Sequence, residues 1–236
     1  MSFKDSLVGT LNAEWERFGK DEGTSTKKVG GKHKETVSPY KERVGDYWLS
    51  IPTAQYKKLV RDFAKTYGKL DGSVTSLAWS AAFISYCMQT AGAGNKFPYD
   101  SGHQKWIVTA INNRLANKTN AALVGYRIDE FPLAVGDLIG APREEHAGLK
   151  YDDVPAFGWF KSHSDIIVEI DQANRAAYVI GGNVGQSVAK VKVKINAAGK
   201  LADGGRPWFV HIRNNIVSTG APDAVSAAVM AAAQVG

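Results

Sequence analysis

The chain is poor in the residues that cross-link or metallate a fold. Its single cysteine, Cys87, rules out an internal disulfide framework, and its five histidines, scattered singly without CxxC or HExxH spacing, give no zinc pattern. No metal and no cofactor are expected. A Walker loop, a GxGxxG turn after a strand and an aromatic RNP-type motif are also missing, so nucleotide and nucleic-acid partners have no mechanism in this sequence. No run approaches the roughly 18 to 20 apolar residues of a membrane helix. The opening MSFKDSLVGTLNAEWERFGKDEG carries charges throughout and no signal-peptide core. The expectation is a chain made in the cytoplasm, without a membrane span, that reaches any external target by a non-Sec route.

What is present is enough for one sizeable core: 236 residues, 44% of them hydrophobic. The formal net charge of +6 favours acidic partners, and an anionic cell wall is one of them.

Residues 4–19 place Leu7, Val8, Leu11, Trp15 and Phe18 at helical spacing, an amphipathic helix whose apolar face packs on the core or serves docking. The following KDEGTSTKKVGGKHKETVSPY lacks periodicity and reads as a basic loop. A second helix is expected over 53–67, and a fourth over 102–116. Between them SLAWSAAFISYCMQTAG, apolar nearly all round, predicts a buried central helix opening near Ser76 and stopping at Gly92. From residue 122 the pattern changes to short strand-like runs (ALVGYRI, DLIGA, SDIIVEI, AAYVIGG, AKVKVKI, PWFVHIR) separated by turn residues. Helices followed by an antiparallel meander define an α+β class.

Ser80 stands near the start of the central helix, where unpaired N–H groups favour negative charge on a nucleophile or a bound oxyanion; serine is equally a common cap there. Asp165, two residues after His163 on a strand, shares its face and is either an orienter of that imidazole or the partner of a cation such as Arg143 or Lys161. His103 opens the fourth helix, as a cleft residue or a plain polar start. His33 and His146 lie in polar loops, His211 in a late strand. Cys87, two turns beyond Ser80, reads as a buried structural thiol. The long segment between DLIGA and His163 carries Tyr151, Phe157, Trp159 and Phe160, either a cleft wall or a satellite core.

WSAAFISYCMQTAG resembles the nucleophile helix of papain-like cell-wall hydrolases of the NlpC and CHAP types, with Ser80 at their cysteine position. VGDLIGAP, SHSDIIVEI and VIGGNVGQSV resemble, in order, the strand before the histidine, the histidine strand and the strand bearing a polar third residue; together they cover about residues 74–195. The resemblance implies a papain-like fold, helices packed on an antiparallel sheet with the nucleophile at the N-terminus of the central helix. It divides the chain into an N-terminal extension (1–73) packed on the core, a catalytic domain (74–216) and an Ala-rich tail (217–236). It further implies Ser80 as nucleophile, His163 as base, Asn183 or Asp165 as orienter, and Trp79, His103 and Trp159 along the substrate. Unlike a thiol, a serine hydroxyl stays protonated at neutral pH, so its base must be held in strict register.

The activity so implied is a peptidoglycan amidase or endopeptidase, a phage endolysin or an exported antibacterial effector. Its partners would be peptidoglycan and, for an effector, an immunity protein or secretion-machine component. The alternative is a binding module that kept the fold and lost the chemistry.

Overall fold

A computed structural model describes residues 1–27 and 31–217. Helix α1 (Phe3–Arg17) opens on a capping box in which Ser2 and Asp5 satisfy each other's backbone N–H. Its Phe3, Leu7, Leu11 and Trp15 are buried, so the apolar face packs on the core. The basic loop is not structureless throughout, as its lack of periodicity predicts: Asp21–Thr24 form an edge strand, β1. Three polar residues and a glycine carry no alternation to read, and side-chain bonds hold them instead. Asp21 accepts from the Ser187 hydroxyl at 2.7 Å and the Lys32 N–H at 3.0 Å.

Helix α2 (Tyr40–Leu49) was not expected; Pro39 precedes it and Gly45 lies inside it. Gly45 is required there: a Cβ would come within 2.9 Å of the Leu70 carbonyl oxygen. Helix α3 (Ala54–Tyr67) falls where the spacing places it.

Helix α4 (Ser80–Thr90) begins four residues later than predicted, which makes Ser80 its first residue, and its side chains are buried from Ser80 through Met88. It ends in a Schellman turn, with Gly92 at φ 87° and the Gly92 and Ala93 N–H groups donating to the Gln89 and Met88 carbonyls. Helix α5 (Gln104–Leu115) follows.

Six further strands make up the sheet: β2 (Leu123–Tyr126), β3 (Leu138–Pro142), β4 (Ser162–Asp171), β5 (Ala176–Val184), β6 (Ser187–Lys194) and β7 (Val210–Asn214). Their order is β1-β6-β5-β4-β3-β7-β2. All pairings are antiparallel except β1 with β6, which is parallel. The protein is therefore α+β with a mixed, mostly antiparallel open sheet. Residues 218–236, nearly all of the Ala-rich tail expected over 217–236, lie outside the described residues.

Two apolar clusters share the sheet between them. Ile166, Val168 and Ile180 join the helices in the main core, whereas Ile167, Val179 and Val191 pack with Trp208 in the second. Strand alternation thus divides β4 between two environments. Helices α1 and α2 pack on α4, α4 on β4 and β5, and α5 on β2. A buried Glu14–Arg43 pair fastens them: Arg43 donates to both Glu14 oxygens, at 3.0 and 2.6 Å, and also to the Tyr86 hydroxyl of α4. Among the described residues no helix is long and apolar enough to cross a membrane.

Candidate active site

Trp79 is the N-cap residue of α4, and its side chain makes no capping hydrogen bond to the helix. The N–H groups of Ser80, Ala81 and Ala82 meet no acceptor among the described residues, leaving the positive end of a buried helix open where Ser80 sits. The Asp100 carboxylate accepts the Gly102 N–H at 2.9 Å, folding the turn that delivers His103 to the head of α5. His103 Nε2 then lies 2.8 Å from Ser80 Oγ, and His103 Nδ1 lies 3.2 Å from Ser164 Oγ.

The protons in this chain are assigned by satisfying every buried donor. Ser164 is fully buried and receives the Trp106 indole N–H at 3.0 Å. The acceptor available to its own hydroxyl proton is His103 Nδ1. That leaves the His103 proton on Nε2, donating to Ser80. Burial holds His103 well below its ordinary pKa, and the neighbouring His163 adds to this, so a neutral imidazole fits the site.

His163 makes a different pair. Its Nε2 lies 2.7 Å from Asp165 Oδ1, and Arg206 donates to Asp165 Oδ2 at 3.0 Å. Burial pushes the Asp165 carboxyl up, but His163 and Arg206 outweigh it and hold the pKa at about 2. The ionised carboxylate only accepts, so His163 donates from Nε2, and its Nδ1 is buried and without a hydrogen-bond partner among the described residues. The His103 and His163 rings lie 5.1 Å apart, centroid to centroid.

Ser80 therefore meets His103 and makes no hydrogen bond to His163, contrary to the sequence expectation. The reason is strand parity: Ser164 shares the helix-facing side of β4 with Ile166, and His163 and Asp165 share the other side with Ile167. Pairing of β4 with β5 runs only to Ile166 opposite Ile180, and the rings approach each other where the two strands are no longer paired.

The other expected residues divide. Asn183, one of the two candidate orienters, makes no bond to His163; the carboxylate of Asp165 holds that place, and its cation is Arg206, not Arg143 or Lys161. Asn183 lines a cavity of about 690 Å³ with His163, Lys27, Arg143 and Arg206. Trp79, expected along the substrate, is only 1% exposed, stacked between Phe18 and Tyr47, and its indole N–H donates to the buried Glu35 carboxylate. It has no free face for a ligand.

Ser80, His103, Arg143 and Trp159 line a second cavity of about 610 Å³. Trp159 is 60% exposed there, with Phe157 also exposed, while Tyr151 and Phe160 turn into the core; the long segment supplies both a cleft wall and core. His146 is not simply solvated, since it accepts the Lys161 N–H and meets the rings of Phe157 and Trp159 edge-on. His33 stacks on Tyr40. His211 is buried against Asp137 at 2.9 Å. Burial pushes the Cys87 thiol well above its ordinary range, which leaves it inert. Among the described residues no cluster of ligating side chains could hold a metal ion.

Sequence reasoning missed Arg206, which sits in the irregular GGRPW, and Gly181 of β5, where a Cβ would overlap the Asp165 carboxylate of β4. Fold and site together define an α+β protein with a serine–histidine cluster at the open end of its central helix. The chain belongs to DUF2272, a family described as an uncharacterized protein conserved in bacteria, which matches residues 15–218. Neither the curated proteins nor the solved structures provide a match.

Proposed function

We propose that this protein is a peptidoglycan amidase or endopeptidase of papain-like type with Ser80 as nucleophile. The observation that carries the reading is the Ser80–His103 hydrogen bond at the open N-terminus of α4, one ring away from an imidazole paired with an ionised carboxylate. Ser80 attacks an amide carbonyl and gives its proton to His163 Nδ1, directly or through one water. Asp165 stabilises the imidazolium that forms. The N–H groups of Ala81 and Ala82 suit the oxyanion, and the neutral His103 holds the Ser80 oxygen in place. The amine departs with the proton from His163, and water hydrolyses the acyl-enzyme. The order of motifs along the chain and the basic charge support a bacterial wall peptide as substrate.

One observation favours a second reading, a module that binds wall peptides without cutting them: the Ser80 hydroxyl is engaged by His103 rather than by the better base. Incubating the protein with peptidoglycan sacculi and analysing released fragments by mass spectrometry separates the two. Cleavage by the wild type and none by Ser80→Ala supports the hydrolase. Retention on sacculi with no release of fragments supports the binding module.

A further inference from the structure

Two cavities flank the site, one holding Ser80 and His103, the other His163 and Arg206, and both are lined by Arg143 and Glu144. These residues form the ridge a substrate must cross to touch both catalytic groups. Their charges are not balanced against each other. Glu144 adopts φ 54°, a left-handed backbone that costs a side-chain-bearing residue energy. Its carboxylate bonds Lys161 Nζ at 2.6 Å, and Glu145 reaches the same ammonium at 3.3 Å. Lys161 thereby occupies both carboxylates next to Arg143. The Arg143 backbone is fixed, its N–H donating to the Lys161 carbonyl at 2.9 Å. Its exposed guanidinium has no ion-pair or hydrogen-bond partner among the described residues. An unpaired planar fork on the ridge of a cleft is suited to a carboxylate, which it takes through two parallel hydrogen bonds.

We infer that Arg143 is a substrate-binding residue that receives a free carboxylate of the peptide, so that the site selects acidic wall peptides over their amidated forms. The inference rests on the wall-peptide reading above. Its test measures binding, so it does not depend on turnover.

The probes are L-Ala-γ-D-Glu-L-Lys with all carboxylates free and the same tripeptide fully amidated. Calorimetric titration into Ser80→Ala protein should show the acid form binding about tenfold or more tighter, in keeping with a charge-assisted bidentate pair. Adding Arg143→Gln should erase the difference. Adding Lys118→Gln instead, which removes the same charge at an exposed position outside both cavities, should preserve it. Equal affinity for the two peptides, binding of neither, or discrimination that survives Arg143→Gln would each overturn the assignment. Displacement of the acid peptide by inorganic phosphate but not by acetate would overturn it too, in favour of a phosphate site. A hydrolase that fails on sacculi while this discrimination holds sinks the catalytic reading and leaves the carboxylate site standing.

Discussion

Gly181 leaves the space that the Asp165 carboxylate fills: a Cβ on this β5 glycine would overlap Asp165 Oδ1 and come within 3.2 Å of His163 Nε2. Asp165 cannot simply yield, because His163 and Arg206 hold both of its oxygens. Gly181→Ala should therefore displace the imidazole while the sheet persists. Under the proposed hydrolase activity, turnover on peptidoglycan is expected to fall on the order of 100-fold, the usual effect of a displacement near 1 Å. Gly148→Ala, where a Cβ would meet nothing within 4 Å, should be neutral. Activity assays paired with thermal melts check both, and an active Gly181→Ala protein would show that the His163–Asp165 geometry is not needed.

Much of this arrangement was legible in the sequence where periodicity carried it. The apolar run of α4, the six short strand-like runs after residue 122 and the stop at Gly92 all have local physical causes, and the structure has a helix, six strands and a helix end at those places. β1 and α2 were not legible, since one is held by the side chain of Asp21 and the other runs through Gly45. Within the site, the spacing of His163 and Asp165 placed them on one face, as period-2 geometry requires. The contact of His103 with Ser80 joins α5 to α4 across the core, and no local pattern encodes it. The aromatics of the long segment were divisible only by burial, since Phe160 and Trp159 are neighbours in sequence and opposite in exposure.

The Glu14–Arg43 pair ties α1 to α2 behind the central helix and is almost fully buried. Glu14 accepts two bonds from Arg43 and one from Tyr47. Glu14→Ala would strand a buried guanidinium, a loss expected to cost about 3–5 kcal/mol. Urea unfolding should show it as a lower midpoint with an unchanged slope. A loss below about 1 kcal/mol would mean that water reaches Arg43 in the variant and that α1 is not locked to α2 through this pair.

His103 makes stability depend on pH in a stated direction. Burial lowers its folded pKa well below 6.5, so below that pH the unfolded chain binds a proton that the folded chain refuses. Stability then falls on acidification, by up to about 1.4 kcal/mol per pH unit from this group. Asp165, held at about 2, remains ionised across the same window. His103→Gln keeps an N–H donor without titrating. The stability advantage of the wild type over this variant should shrink by about 1–2 kcal/mol between about pH 7 and pH 5 in denaturant titrations. Parallel curves would mean that His103 is protonated in the folded state.

The two imidazoles should differ in what their loss does to the reaction. His163 donates to a carboxylate that is ionised and also held by Arg206. His103 has only the Ser164 hydroxyl behind it, and burial opposes its charging. Under the proposed mechanism, with His163 as the base, it is the costlier to lose: His163→Ala and Asp165→Asn are each expected to lower kcat by about 10² to 10⁴. His103→Gln, which can still hold the Ser80 oxygen, should cost less than about tenfold. Single-turnover assays on a released wall peptide read this ordering directly. The reverse ordering would make His103 the base at the 2.8 Å contact it already has, with Ser164 as its orienter, and would reduce the His163–Asp165–Arg206 group to a structural brace between β4 and the loop before β7.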